Sequence, residues 1–163
     1  MRVSIRIGSP VLGTLTVVVC LSGGTSAEEV GNWNVASAQG YAEYSVGHGP
    51  ANSVLFRCDE DASAKGGTKN TNIFITINGK EPPPNAQVQV FLDGRPVQLS
   101  TDARGTITTA CRSCSDNFAR LWAKVRKSQQ MIVSLSDGRS ATFVLNGAAK
   151  ALPLKHCTTG FES

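Results

Sequence analysis

Apolar and polar residues alternate along several short stretches of the chain, a pattern typical of strands with one buried face. The clearest stretch runs from 88 to 92, where Val88, Val90 and Leu92 share one face. We predict further strands at 33–38, 53–58, 73–77, 96–99, 105–110, 131–135 and 141–145. Asp-Gly pairs at 93–94 and 137–138 separate neighbouring strands and predict two hairpins.

One segment instead repeats its apolar residues at helical spacing. They recur at i, i+3, i+4 and i+7 as Phe118, Leu121, Trp122 and Val125. Ser115 is the expected N-cap, so the pattern predicts a helix over about 115–127 with Trp122 in the core. A single helical turn is expected at 148–152, before Pro153.

Segments rich in glycine and small polar residues predict the connections between these elements. Residues 39–51 are expected to form a turn region, with a flexible loop at 44–49, and 59–72 a solvated polar loop. No strand–helix alternation and no internal repeat occurs. The pattern predicts a mainly β fold (β-rich α+β): a small antiparallel sandwich or partly open barrel with one packed helix.

The first 27 residues have the organisation of a cleaved signal peptide. Arg2 and Arg6 are followed by an apolar stretch at 11–21 that is short for a membrane span, and then by small residues ending at Ala27. We therefore expect a leader at 1–27 and one disulfide-bonded β-rich domain at 28–163. The expected location is periplasmic or secreted.

Charge and composition narrow the possible partners. The chain has 16 basic and 12 acidic residues, and Arg2 and Arg6 lie in the leader. The mature balance is 14 minus 12, or +2, which is too small to predict binding to nucleic acid or an anionic surface. No stable membrane span is expected after cleavage.

Four cysteines remain in the predicted mature chain: Cys58, Cys111, Cys114 and Cys157. An even number in an exported protein indicates two disulfides, and three pairings are compatible with the sequence. We expect Cys111 to pair with Cys114. Cys58, at a strand end, would then pair with Cys157 and tie the C-terminus to the sheet.

The Cys111-x-x-Cys114 motif has three interpretations. A strand leading into a helix N-terminus is the setting of a reactive dithiol, which predicts a thiol–disulfide oxidoreductase. A mixed metal site with His156 is a second possibility, and a local structural disulfide is the third. We favour the structural disulfide, because the surrounding pattern lacks alternating strands and helices, and an oxidising compartment favours disulfides over metal.

Other chemistry has little support in the sequence. No Gly-x-Ser-x-Gly and no phosphate-binding glycine motif occurs. The acidic cluster at 59–61 lacks the spacing of an EF-hand loop, and His48 lies in a predicted polar loop. We therefore expect no catalytic residue, cofactor or metal ligand.

The C-terminal third contains a characteristic pattern of apolar, turn and small residues. Its elements are Phe118-x-x-Leu121, Ile132 before Asp137-Gly138-Arg139, Phe143-x-Leu145-x-Gly147, Ala151-Leu152 and Cys157. With Trp33 and Cys58, this resembles small exported proteins of Gram-negative bacteria, the invasion-associated locus B family and the VasI proteins associated with type VI secretion. The resemblance implies a β-rich envelope protein without catalytic residues.

These observations predict a non-catalytic exported protein that acts through contacts with a protein partner in the envelope, in virulence or in secretion. The oxidoreductase with Cys111 and Cys114 is one alternative. An inhibitor of a cell-wall hydrolase, which would insert the loop at 44–49 into a cleft, is another.

Overall fold

The fold consists of two antiparallel sheets and two helices, in a computed structural model that describes residues 26–60, 71–159 and 161. The six-stranded sheet has the order β1-β2-β3-β4-β5-β8, with β1 Ser26–Val30, β2 Trp33–Ala38, β3 Tyr41–His48, β4 Asn52–Asp59, β5 Asn72–Ile77 and β8 Ile107–Thr108. The four-stranded sheet has the order β10-β9-β6-β7, with β6 Gln87–Leu92, β7 Arg95–Ser100, β9 Gln130–Leu135 and β10 Ser140–Val144. The helices are α1 Arg112–Val125 and α2 Ala148–Ala151. The predicted fold class, a β-rich sandwich with one packed helix, is confirmed.

Both predicted hairpins are present. β6 pairs with β7 across Asp93-Gly94, and β9 pairs with β10 across the turn that holds Asp137-Gly138. Asp93 and Gly94 both have positive φ, 46° and 79°, the backbone that a two-residue hairpin turn needs. Asparagine, aspartate and glycine adopt this backbone at the smallest cost, which is why the sequence revealed these turns.

The prediction for residues 39–51 is wrong. The segment forms β3, eight residues long, followed by a 3-10 turn at Gly49–Ala51. Ala42, Tyr44 and Val46 are buried at alternate positions, and β3 is fully paired with β2 and β4. Glycine and serine at intervening positions concealed the period of two. The loop that an inhibitor would insert is therefore a central strand.

The structure also contains a strand that the alternation did not indicate. β1 pairs with β2 through the turn at Gly31-Asn32, and Glu28 and Glu29 are exposed on it. Ser26 and Ala27, the last residues of the predicted leader, belong to this strand. The remainder of the predicted leader, 1–25, lies outside the described residues, as does the part of the predicted loop 59–72 that runs from 61 to 70. The ends of that prediction are wrong, because Asp59 belongs to β4 and Asn72 to β5.

Helix α1 begins earlier than its apolar pattern indicates. Its N-cap is Cys111, whose sulfur accepts a hydrogen bond from the backbone N–H of Cys114, so the prediction of Ser115 as N-cap is wrong. Ser115 is buried in the first turn and hydrogen-bonds to Thr159. The predicted start was too late for two reasons: the first turn contributes no residue to the apolar stripe, and cysteine is an uncommon N-cap.

The core is a continuous cluster of side chains from both sheets and α1. Trp122 is 1% exposed, as predicted, and its ring meets Tyr44 and Phe56 edge-on at centroid distances of 5.5 and 5.6 Å. Phe118 packs beside it. Aromatic rings in this arrangement are attractive beyond the area they bury, so α1 is fixed on the inner face of the six-stranded sheet.

Strand β10 crosses the ends of the strands beneath it. Arg139, just before β10, donates to the carbonyl oxygen of Ile77 at the end of β5. Asn146, just after β10, accepts from the backbone N–H of Asn32 in the turn before β2. β10 therefore spans from β5 to β2 and forms one rim of the molecule.

The helices are short relative to a membrane span. Within the described part of the chain, no helix combines the length and apolar character that crossing a bilayer requires.

Candidate functional site

The Cys111–Cys114 pair lies at the corner between β8 and α1. The two Cα atoms are 5.0 Å apart and the cysteines are joined by a disulfide. The sulfur of Cys111 caps α1 and lies 3.2 Å from the hydroxyl of Ser113. Both cysteines are half-buried. A helix N-terminus stabilises a thiolate, so the position of Cys111 would favour the reduced form of the pair. The strand that precedes the motif, β8, is only two residues long.

The second disulfide joins Cys58 in β4 to Cys157, 99 residues apart in sequence, with Cα atoms 5.5 Å apart. Both pairings are thus the ones expected from the sequence. Cys58 is buried in the core. The bond therefore attaches the C-terminal segment, residues 153–159, directly to the inner face of the six-stranded sheet.

Hydrogen bonds hold the C-terminal segment at both ends. The indole N–H of Trp122 donates to the carbonyl oxygen of Pro153 at 2.9 Å. At the other end, the hydroxyl of Thr71 donates to the carbonyl oxygen of Thr158 at 2.9 Å, and Ser115 bonds to Thr159. The segment is therefore attached to the fold at both ends, although residues 153–155 are exposed.

An open cleft of about 330 Å³ separates this segment from the ends of β3 and β4. Its ionisable lining residues are Tyr44, Asp59, Glu60, Lys155 and His156. Asp59, Glu60, Lys155 and His156 each already have an interaction partner within the protein.

Tyr44 and His156 are the cleft residues whose side chains could act as an acid or a base. Burial raises the pKa of the Tyr44 phenol, and the negative charge of Glu60 raises it further. His156 meets the ring of Phe118 edge-on at 6.1 Å, and its Nδ1 lies 2.9 Å from the carbonyl oxygen of Cys157. A phenol whose pKa is raised stays protonated at neutral pH, and the imidazole is packed and hydrogen-bonded.

The structure does not bring His156 together with Cys111 and Cys114 as metal ligands. The cysteine sulfurs are joined in disulfides. Among the described residues, no group of three or more His, Cys, Asp or Glu could hold a metal ion. Asp59 ends β4 and Glu60 follows it, whereas Asp61 lies outside the described part of the chain.

The most distinctive surface is the outer face of the four-stranded sheet. Its members alternate with the buried residues of β6, β7, β9 and β10, and none carries a charge: Gln87, Gln89, Phe91, Pro96, Gln98, Ser100, Gln130, Ile132, Ser134, Ser140, Thr142 and Val144. We call this set the uncharged face. Surfaces designed for solubility carry about 25–35% charged residues, and this chain has 17% overall, so a whole sheet face without charge is informative.

An apolar row crosses the uncharged face. Register places Pro96 opposite Phe91, Phe91 opposite Ile132, and Ile132 opposite Thr142. Ile132 is 36% exposed, and Val144, one row away on β10, is 49% exposed. Gln98 and Gln87 hydrogen-bond to each other beside the row at 2.7 Å. The face combines apolar contact area with neutral hydrogen-bonding groups, the composition of the centre of a protein interface.

Sequence reasoning did not identify this surface. The alternation in 87–92 did reveal which residues face outward, but each strand supplies only three of them. The signal that could have found the face is the repeated choice of glutamine, serine and threonine over lysine and glutamate at outward positions of four separate strands.

The chain matches a known protein family. The model of the YfjT family matches residues 31–152, whereas no curated protein and no solved structure matches the chain. The matched span begins at the β1–β2 turn and ends just after α2, so it contains both β10 and the whole uncharged face. Because the match covers well over half of the 163 residues, the protein belongs to the YfjT family.

Proposed function

We propose that this protein is an exported, non-catalytic binding protein of the Gram-negative envelope, and that the uncharged face is where it contacts a protein partner. The observation that carries the proposal is the apolar row Pro96–Phe91–Ile132, which Thr142 continues, on a face without charges. Interfaces are depleted of lysine, glutamate and aspartate at their centres, because burying an unpaired charge is costly.

Export is supported by the leader predicted at 1–27 and by the two disulfides, which persist in oxidising compartments. A role in virulence or secretion rests on the resemblance to the invasion-associated locus B family and the VasI proteins. Expression of the full chain in a Gram-negative host, followed by fractionation and N-terminal sequencing, tests the export. Retention of the protein in the cytoplasm with an intact N-terminus would contradict it.

The binding role is tested by changing one side chain at the centre of the row. Ile132→Asp introduces a charge where we expect partner contact, and Leu154→Asp makes the same kind of change at an exposed apolar residue elsewhere, 85% exposed. A photo-crosslinking residue at Gln89, in the neighbouring row, reports partner capture in the native host. We expect Ile132→Asp to abolish the crosslinked product and Leu154→Asp to retain it.

Equal crosslinking of both folded variants would overturn the proposal. Circular dichroism of each variant shows whether it remains folded. Ile132 points away from the core, so the substitution is expected to leave the fold intact.

A second candidate, a thiol–disulfide oxidoreductase, is favoured by the position of Cys111 as the cap of α1. A substrate thiolate would attack the Cys111–Cys114 disulfide to form a mixed disulfide. The second substrate thiolate would then release the pair as a dithiol and leave the substrate as a disulfide. A reduction potential below about −300 mV would mark a structural bond and exclude this activity.

A further inference from the structure

The two sheets have four edge strands, and three of them carry a known protection against pairing with another chain. β1 carries the exposed Glu28 and Glu29. β8 has only two residues. β7 contains Pro96, and its Gln98 carbonyl oxygen accepts a hydrogen bond from Asn117 of α1. Each of these edges is therefore poorly suited to accept a further strand.

The fourth edge, β10, has none of these features. Its sequence SATFV contains no charge and no proline, and it is five residues long. The hydrogen bonds from Leu135 to Arg139 and from Leu145 to Gln129 fix which residues face β9. By the alternation of an antiparallel ladder, Ala141 and Phe143 also bond to β9.

The backbone groups of the alternate residues, Ser140, Thr142 and Val144, therefore point away from β9. Within the described part of the chain, β10 pairs only with β9, and no other hydrogen bond reaches these groups. All three residues are exposed. They form a short row of free N–H and C=O groups at the rim where β10 crosses the ends of the other sheet.

We propose that β10 pairs with β10 of a second copy of this chain, antiparallel about a two-fold axis through Thr142. This register places Thr142 opposite its own copy and Ser140 opposite Val144. It is the one register that uses the outward groups of all three residues. A two-fold axis makes such an interface self-complementary, since the same strand is offered by both copies.

A second copy is chosen as the partner because it offers the same unprotected strand, of equal length and without charge. No charged residue of β10 lies opposite another in this register, because the strand has none. The cation next to the strand in sequence, Arg139, is bound by its neighbours: its guanidinium contacts Asp137 and donates to the carbonyl oxygens of Ile77 and Lys80. Pairing joins the two four-stranded sheets into one and extends the uncharged face across both copies. This inference does not rest on the proposed function.

Five residues on each side form a small interface, below the roughly 800 Å² per partner of a standard one. We therefore expect dissociation in the micromolar range. Sedimentation equilibrium of the purified, disulfide-bonded protein, from low micromolar to several hundred micromolar, should show a monomer–dimer equilibrium. A monomer over the whole range would overturn the proposal.

Two charge variants locate the interface. Thr142→Lys and Thr142→Glu each place like charges opposite one another at the two-fold axis, which opposes pairing. Each variant alone is expected to be monomeric, and a mixture of the two is expected to form a heterodimer. Failure of the mixture to associate, with both variants folded, would contradict the strand register.

Ile132→Lys is the matched control, since Ile132 lies directly opposite Thr142 on the same face but one strand further from the edge. Edge pairing predicts that this variant still dimerises. Loss of the dimer in Ile132→Lys together with its retention in the Thr142 variants would identify face-to-face packing and overturn the proposal.

Hydrogen exchange supplies a readout for single residues. The amides of Ser140, Thr142 and Val144 are expected to become protected as the concentration rises. Those of Ala141 and Phe143 bond to β9 in both forms and are expected to be protected throughout. Protection of Thr142 that does not change with concentration would contradict pairing at this edge. Because the readouts are mass and exchange, failure here leaves the binding test at Ile132 unaffected.

Discussion

Gly31 and Gly147 pack backbone against backbone where the β1–β2 turn meets the start of α2. Both have positive φ, 65° and 89°. A Cβ atom on Gly31 would lie 2.5 Å from the carbonyl oxygen of Asn146, and one on Gly147 would overlap the carbonyl oxygen of Val30. The hydrogen bond from Asn32 to Asn146 lies in the same contact. This contact joins the first hairpin to the last helix.

We expect Gly147→Ala to lower the free energy of unfolding by about 2–4 kcal/mol, the sum of left-handed backbone strain and steric overlap. Gly49→Ala is the control, because Gly49 has a similar φ of 69° but no atom within 4 Å of the added Cβ. It should cost only the strain, about 1–2 kcal/mol. Urea unfolding of both variants measures the difference, and equal losses would show that the close contact contributes nothing.

The two tryptophans provide a second matched pair. Both are 1% exposed, but the indole N–H of Trp122 donates to Pro153, whereas that of Trp33 has no hydrogen-bond partner among the residues that the structure describes. Trp122→Phe leaves the Pro153 carbonyl without its hydrogen-bond donor. Trp33→Phe instead removes a buried N–H donor that has no acceptor. We expect Trp122→Phe to be more destabilising by about 1–3 kcal/mol. Denaturant unfolding tests this, and the reverse order would contradict the assigned hydrogen bond.

The sequence allowed the hairpins, the helix and most strands to be predicted, because each has a local signal. Asp93-Gly94 and Asp137-Gly138 adopt the turn backbone at low cost. The apolar stripe through Trp122 has the period of one buried helical face. In β3, by contrast, Gly47 and the serine at 45 hid an alternation that becomes clear only when both neighbouring strands are known.

The candidate interaction surface could not be predicted in the same way. The uncharged face is assembled from four strands whose order, β10-β9-β6-β7, is not encoded in any one of them. Likewise, β10 becomes an exposed edge only through its place at the end of that order. Cys111 as a helix cap depended on a side-chain hydrogen bond that the apolar pattern does not report.

The two disulfides are expected to contribute unequally to stability. In the chain-entropy model, a bond that closes a long loop removes more freedom from the unfolded chain. Cys58→Ala with Cys157→Ala, which opens a separation of 99 residues, should cost on the order of 4–5 kcal/mol. Cys111→Ala with Cys114→Ala, at a separation of 3, should cost about 2 kcal/mol. Thermal unfolding of the two double variants should preserve this order, and a larger loss for the short bond would contradict it.

The Asp137–Arg139 ion pair gives a pH-dependent contribution to stability. The side-chain hydrogen bond from Arg139 is the main cause that holds the pKa of Asp137 below its ordinary value of 3.8. A lowered carboxyl pKa stabilises the fold above 3.8, and this contribution is lost as the pH falls through the folded pKa. Wild type should therefore exceed Asp137→Asn in stability at neutral pH and converge with it in acid. A difference that persists unchanged in acid would contradict the ion pair as its source.

Tyr44 should reveal its environment in an alkaline titration. Burial is the main cause of its raised pKa and the charge of Glu60 the second, so the phenol should ionise above the ordinary value of 10.0. A raised pKa means that the neutral phenol stabilises the fold, and that this stabilisation is lost as the pH rises from 10.0 through the folded pKa.

Ultraviolet absorbance of the phenolate follows the titration, and Tyr44→Phe should remove its latest phase. Glu60→Gln should lower the midpoint of that phase yet leave it above 10.0, because burial remains. A midpoint that Glu60→Gln does not move would show that the carboxylate does not act on the phenol.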